Sequence, residues 1–321
     1  MGEFELIDRF FTRKARQALV GIGDDCAVWM PSPGHQLAFS ADMLVEGRHF
    51  LSTVTPRHLG HKALAVNLSD LAACGATPRA FLLSLSLPRV DEAWLSGFSE
   101  GLFDLADAQS CELIGGDTTQ GPLNIAITVI GEVPSGQAIL RSGARPGDDV
   151  YVSGHLGDAR LALEAFRGDI SLPQVTFDLA RRRMETPTPR LALGVSLRGL
   201  ANAMVDISDG LLGDLGHVLK SSGVGARIDL PSVETLMLAT ASWDCPRDCL
   251  LRCVLSGGDD YELLFTASPA HRDQIQAAAL ATLTPVSRIG VITSDPALLV
   301  LTEDGQTLNS TYHSFDHFAS R

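Results

Sequence analysis

The sequence predicts an α/β protein (α+β in the broader sense) built from two mixed domains, on three observations. The chain has 321 residues, and at ~100–200 residues per domain two domains are expected. Strand-like and helix-like segments alternate through both halves. A stretch rich in Gly, Pro and Ser, "PSGQAILRSGARPGDD" (134–149), separates them and marks a boundary. The expected domains are residues 1–137 and 138–321. Hydrophobic residues make up 45% of the chain, enough for packed cores and far from a disordered composition.

The elements follow in order. "HQLAFSADMLVEG" (35–47) reads as a strand ending in polar residues. "TPRHLGHKALAVNLSDLAACGATP" (55–78) reads as a helix, with Thr55 suited to the N-cap, Pro56 to the first helical position and Gly75 to the stop. "FLLSLSLP" (81–88) alternates Leu with Ser, the pattern of a half-buried strand. "DEAWLSGFSEGLFDLADAQ" (91–109) carries Trp94, Phe98, Leu102 and Leu105 at helical spacing. "CELIG" and "LNIAITVIGEVP" complete the first half as strands. The second half resumes with strand "VYVSG" and a helix from about His155 to Phe166. Further strands are expected at "AMVDIS", "GARIDL", "YELLFTAS", "VSRIGVI" and "ALLVLTE".

The charge balance excludes whole classes of partner. A net charge of −13 opposes general nucleic-acid binding, which needs Lys and Arg on phosphates, and docking on an anionic membrane. The opening "MGEFELIDRFFTRKARQ" is charged and has no signal-peptide core, and no uninterrupted apolar run reaches ~18 residues. A cytoplasmic location is therefore expected. Six cysteines include no C-x-x-C pair and are expected to stay reduced. Cys245, Cys249 and Cys253 have helical spacing and read as one buried face of a short helix, since free Cys behaves as a small hydrophobe.

The aspartates concentrate at strand ends beside glycine, where ligands collect in open α/β sheets. Asp24 and Asp25 follow Gly23, Asp42 ends the strand in "FSADML", Asp117 follows Gly115-Gly116, Asp206 and Asp209 make "DISDG", and Asp259 and Asp260 make "SGGDDYE". Each pair could also be a turn, and Asp209 could cap the helix that follows. Asp148 and Asp149 read as a turn feeding a strand, with no chemistry assigned. Asp70 is different, because its helix neighbours Val66, Asn67, Ala73 and Cys74 offer no cation. Converging carboxylates would repel one another unless cations sat among them. Hard Mg²⁺ suits an all-oxygen set and also holds substrate phosphates. Gly115-Gly116 would let backbone approach a phosphate, Thr118 and Thr119 add hydroxyls, and Arg141 and Arg145 could clamp phosphate oxygens. No G-x-x-x-x-G-K-[ST], H-R-D with D-F-G or G-x-G-x-x-G motif is present.

Taken in order, "GIGDDCA", "SADMLVEGRHF", "KALAVNLSDLAACGA", "LIGGDTTQGP", "RSGARPGD", "VDISDGLLGDLGH", "SGGDDYELLFT" and the tail "SFDHF" closely resemble the thiamine-monophosphate kinases. These belong to the aminoimidazole-ribonucleotide-synthetase-like superfamily of ATP users. The resemblance implies an N-terminal ATP- and Mg²⁺-binding domain that dimerises through its sheet to a homodimer, and a C-terminal α/β domain. It implies ATP-dependent phosphorylation of thiamine monophosphate to thiamine diphosphate, the last step of that cofactor's synthesis, with several Mg²⁺ ions bound. Carried over by motif, Asp25, Asp42, Asp70, Asp117, Asp206 and Asp209 match metal ligands, with Ser40 and the backbone of Ala41 assisting. Gly116, Asp117, Arg141 and Ser208 match ATP contacts, and His49, Asp259 and Phe315 match thiamine monophosphate contacts. Asp209 stays open as a base, behind a ligand or capping role. Asp259 stands where the family commonly has Glu, and Phe315 where it often has Tyr or Trp. The rivals are another ATPase of the superfamily and a cation- or nucleotide-binding module without turnover. Selenophosphate synthetase usually needs a reactive Cys close to the N-terminus, where the first here is Cys26, and the hydrogenase-maturation dehydratase carries one at the C-terminus, where this sequence reads "HFASR". "SGGDDYELLFT" speaks against the purine ring-closing enzyme.

Overall fold

A computed structural model describes residues 2–308. The chain divides into two compact units, Met1–Leu71 with Ala76–Gly136 and Ala72–Gly75 with Gln137–Arg321.

The first unit contains α1 (Glu3–Phe10), β1 (His35–Val45), α2 (Pro56–Ala73, whose last two residues fall to the other unit), β2 (Thr77–Leu87), α3 (Glu92–Ala108), β3 (Glu112–Gln120) and β4 (Asn124–Pro134). Its sheet runs β1-β4-β2-β3. β4 pairs antiparallel with β1 and β2, and β3 pairs parallel with β2. The start of α2 follows its sequence signals. Pro56 takes the first position, and the Thr55 hydroxyl accepts the His58 N–H at 3.3 Å. Leu59, Leu64, Leu68 and Leu71 are all but inaccessible, each contributing roughly 1.5–3 kcal/mol by burial. α2 and α3 pack backbone to backbone, because a Cβ on Gly60 would strike the Phe98 carbonyl and one on Gly101 the Arg57 carbonyl.

The second unit holds β5 (Asp149–Ser153), α4 (Asp158–Arg167), α5 (Gln174–Glu185), α6 (Leu191–Ser196), β6 (Ala201–Asp206), α7 (Leu211–Ser222), β7 (Gly225–Asp229), α8 (Leu230–Glu234), α9 (Arg247–Ser256), β8 (Leu263–Ala267), α10 (Arg272–Ala281), β9 (Val286–Thr293) and β10 (Leu298–Leu301). Six strands form one sheet in the order β10-β7-β9-β5-β8-β6. Only the β10–β7 pair is parallel. β5 and β8 are buried along their whole length, as central strands covered on both faces must be.

Three local expectations change. Asp42 lies within β1 rather than at its end. The strand expected at "CELIG" runs on through "GDTTQ", because β2 continues to pair with β3 through Gln120. Cys249 and Cys253 are buried on α9, whereas Cys245 precedes that helix. Asp148 and Asp149 are buried structural groups. Asp148 accepts the Arg145 and Asn202 N–H groups, and Asp149 pairs with Arg272 and Arg288. Among the described residues, no helix is long and apolar enough to cross a membrane.

Candidate active site

In the first unit the arm ahead of β1 carries Asp24 and Asp25. A bridge between Val20 and Val28 closes it into a narrow loop, with both aspartates exposed near Gly23. Asp25 donates its N–H to Asp24 Oδ1 at 2.8 Å. Two buried glutamates pin the arm. Glu112 accepts three consecutive amides, from Arg16, Gln17 and Ala18, each at 2.7 Å. Glu132 accepts the Ser32 N–H at 2.9 Å, the Trp29 indole N–H at 3.4 Å and Arg79 Nε–H at 3.0 Å. Burial pushes the Glu132 carboxyl upward, but these bonds outweigh it and bring the pKa down to about 2.

β1 and α2 bring a second group together. The Ser40 hydroxyl donates to Asp70 Oδ2 at 2.5 Å, and Asn67 Oδ1 accepts the Asp42 N–H at 2.9 Å. Ala41 projects from the opposite face of β1, as strand alternation requires. His49 sits just beyond β1, where its Nδ1 accepts the Val45 N–H at 3.0 Å, which assigns the ring proton to Nε2.

Asp117 is exposed on β3, at the sheet edge opposite β1. Three strand spacings, roughly 14 Å along the sheet, separate the two edges. Gly116 next to it has φ +147°, and a Cβ there would strike the Leu83 carbonyl, so only glycine fits.

The second unit joins two of the acidic motifs into one double loop. Asp259 donates its N–H to the Ser208 carbonyl at 2.8 Å, Tyr261 to Ile207 at 2.9 Å, and Ile207 to Glu262 at 2.8 Å. Asp206 ends β6 and is buried, whereas Ser208, Asp209 and Asp259 are half-buried. Asp259 and Tyr261 take left-handed backbone, φ +71° and +52°, a strain of order 1 kcal/mol or more each that the surroundings must hold. The anchors are visible. Both Asp260 oxygens accept the Gly157 N–H, and Glu262 is bonded by Ser153, Arg183 and Arg190 at 2.6–2.8 Å. Burial drives the Asp260 carboxyl well above the usual range. Burial acts on Glu262 in the same direction, but Arg190, Arg183 and Ser153 together hold it below the usual range.

Asp209 does not cap α7. Gly210 is the N-cap and makes no side-chain cap bond. Asp214, one turn into the helix, reaches back so that its Oδ2 accepts the N–H groups of Ser208, Asp209 and Gly210 at 3.1, 3.1 and 3.2 Å. Burial, with the nearby Asp209 charge, pushes the Asp214 carboxyl up to about 7 despite those amides. Arg141 is exposed in the segment after β4, where its carbonyl accepts the Ser222 hydroxyl at 3.3 Å. Phe315 lies outside the described residues.

Ser40 and Asp70 thus meet beside the Asp42 backbone, and the Ser208–Asp209 and Asp259 loops meet in the other unit, while Asp25 lies on the arm ahead of β1 and Asp117 on the far edge strand β3. Among the described residues, no three His, Cys, Asp or Glu side chains are gathered closely enough to hold a metal ion. A cavity of about 150 Å³ in the first unit is lined by Arg13, Lys14, Arg16, Phe103, Asp107 and Glu112, among others, and by none of the expected site residues. The buried carboxylates around these loops, Glu112, Glu132, Asp214 and Glu262, were not anticipated; Glu112 and Glu132 interrupt apolar strand patterns, where a charged residue demands a partner.

Comparison with known proteins places this arrangement. Residues 23–133 match the AIR synthase related protein N-terminal domain, and residues 145–301 the corresponding C-terminal domain. The chain therefore falls in the AIR synthase-related class of two-domain α/β proteins. It is 44% identical to thiamine-monophosphate kinase of Escherichia coli K12, over 99% of each chain. The crystal structure of thiamine-monophosphate kinase from Stenotrophomonas maltophilia K279a is 42% identical, with TM-score 0.84 over 95% of this chain and 96% of that one. A structure of AaThiL complexed with AMPPCP and TMP is 30% identical, with TM-score 0.75 over 90% and 89%. The chain belongs to the thiamine-monophosphate kinase family.

Proposed function

We propose that this protein transfers the γ-phosphoryl group of ATP to thiamine monophosphate, giving thiamine diphosphate and ADP. The observation that carries the reading is full-length identity of 44% to a thiamine-monophosphate kinase. The relative complexed with AMPPCP, an ATP analogue, and TMP supports both substrates.

The residue inventory suits this chemistry. A phosphate monoester has a second pKa of about 6, so the acceptor is mostly anionic near neutral pH and needs little help from a base. The obstacle is the approach of two anions in line, which demands charge neutralisation. Bound Mg²⁺ would supply that neutralisation. Mg²⁺ is commonly held by one or two carboxylates with waters and substrate phosphates completing its shell, so all-oxygen groups such as Ser40 with Asp70 fit it without an all-protein cage. We assign Asp25, Ser40, the Ala41 backbone, Asp42, Asp70, Asp117, Asp206 and Asp209 as its ligands. Gly116, Asp117, Arg141 and Ser208 are assigned to ATP, and His49, Asp259 and Phe315 to the acceptor. His49 is held just beyond β1 by the Val45 N–H on its Nδ1. Asp209 could take a proton, but its main role is that of a ligand.

Residues 1–137 serve as the ATP/Mg²⁺ and dimerisation domain, and residues 138–321 as the second α/β domain. Leu37, Phe39 and Met43 alternate along edge strand β1 with 36, 63 and 55% exposure, an apolar stripe suited to a homodimer formed through the sheet. A cytoplasmic enzyme acting on soluble substrates is consistent with the acidic composition.

The test is ADP release with a panel of acceptors. Thiamine monophosphate should support Mg²⁺-dependent turnover, and thiamine, which lacks the phosphate nucleophile, should not. Saturable ATP binding with no ADP formed on any acceptor would leave a binding module instead.

A further inference from the structure

We propose that Asp214 is a positioning residue, holding the Ser208–Gly210 loop in the shape that presents Asp209 and Ser208 to the phosphate and metal, and Asp259 to the acceptor. This rests on the kinase reading for the roles of those three residues.

The geometry separates Asp214 from an ordinary surface carboxylate of a first helical turn. The side chain is buried, and one oxygen collects three consecutive backbone N–H groups. That pattern fixes the direction of each peptide plane from Ser208 to Gly210, and so the direction in which the Ser208 and Asp209 side chains leave the backbone. The Ser208 carbonyl in turn accepts the Asp259 N–H, so the same constraint passes to the neighbouring loop, where Asp259 is kept in left-handed backbone.

A second consequence concerns phosphate. The free amides ahead of a helix ordinarily make an anion site. Here the three amides just ahead of α7, those of Ser208, Asp209 and Gly210, are already bonded to the helix's own carboxylate. A nucleotide phosphate placed at this loop finds the Ser208 hydroxyl and the Asp209 carboxylate, not an amide nest, and must be accommodated through cations. Asp214 thereby removes the amides of 208–210 from phosphate capture and favours the metal-mediated mode at this loop.

The experiment compares the wild-type chain with Asp214→Ala and Asp214→Asn. Asparagine keeps an oxygen able to accept the amides; alanine keeps none. Hydrogen exchange, read without nucleotide or metal, should quicken by at least about tenfold at the amides of 208–210 in the alanine variant. The Asp259 amide should quicken with them, and the asparagine variant should fall between. Kinetics well below the melting temperature should show the Mg²⁺ half-saturation and the KM for ATP rising about ten- to hundredfold in the alanine variant, with asparagine restoring most of the loss. Should the alanine variant fail to fold, the asparagine variant carries the same ordering against wild type. Wild-type exchange at 208–210 overturns the proposal, as does a lowered melting temperature with unchanged Mg²⁺ and ATP dependence, which is what a helix-capping role alone would give. If wild type itself shows no turnover, the kinase reading fails, while exchange and calorimetric binding of ADP with Mg²⁺ still judge Asp214.

Discussion

Replacing Glu132 by Gln tests whether a buried carboxylate fastens the arm that carries Asp24 and Asp25. The side chain is 1% exposed and meets Ser32, Trp29 and Arg79. Its pKa falls from an ordinary 4.5 to about 2, and at ~1.36 kcal/mol per pH unit that difference is worth about 3 kcal/mol to the folded state. Because the folded value is the lower one, the stabilisation is complete above the unfolded pKa and disappears as pH falls through 4.5 toward 2. Glutamine has the shape of the protonated acid but no charge, and one end of its amide turns a donor toward donors. Urea unfolding at pH 7 should therefore show the Gln variant less stable by about 2–3 kcal/mol. The difference between the two proteins should shrink to roughly half near pH 3.3. A gap that stays constant from pH 7 to pH 3.3, or one under about 0.5 kcal/mol at pH 7, would refute the assignment of the charged form as the fastening group.

Other expectations follow from the same contacts. Asp70→Asn and Asp117→Asn should each lower kcat by ~100-fold or more with circular dichroism unchanged, since on the proposed metal assignment each removes a ligand charge from a side chain that is not part of the core; near-normal ADP release would remove that assignment. On the proposed sheet-mediated homodimer, the wild-type chain should sediment as a dimer and Phe39→Asp as a monomer, because the substitution places a charge in the β1 stripe; a monomeric wild type would remove the dimer proposal. Glu262→Gln should destabilise by about 3–5 kcal/mol in chemical denaturation, because Arg183 and Arg190 would keep their charges without the counter-ion.

The sequence displayed some of this directly. Thr55, Pro56 and Gly75 bracket α2 because each acts through its own backbone or hydroxyl within a few residues. Leu–Ser alternation showed β2 for the same reason. "LIGGDTTQG" misleads, since a glycine pair before Asp has the composition of a turn. What makes it a strand is pairing with β2, where Asp117 faces Ser84 across the sheet at a distance in sequence that local pattern does not reveal. Asp209 looked like a cap because it stands next to a helix start, yet its own amide is bonded by Asp214 from within that helix. Glu112 and Glu132 were hidden for a related reason: their partners are backbone groups some hundred residues away in sequence.

Burial then divides the carboxylates of this acidic chain into two kinds. Glu112, Glu132, Asp214, Asp260 and Glu262 are buried, and each has its oxygens taken up by amides or arginines. They are already neutralised from within and cannot serve a ligand without breaking those bonds. Asp24, Asp25 and Asp117 are exposed, and Asp42, Asp70, Asp209 and Asp259 lie between the extremes. Asp206 alone of the proposed ligands is buried. The buried set surrounds the accessible set in the fold: Glu112 and Glu132 flank the arm of Asp24 and Asp25, Asp214 grips the backbone of Asp209, and Asp260 and Glu262 immediately follow Asp259. Carboxyl groups are thus used twice, once as backbone fasteners and once as presented oxygens. A series of carboxylate-to-amide substitutions across both kinds would distinguish them: the buried set lowers stability, with Asp214 also shifting Mg²⁺ dependence through the loop it holds, and the accessible set shifts Mg²⁺ dependence without lowering stability.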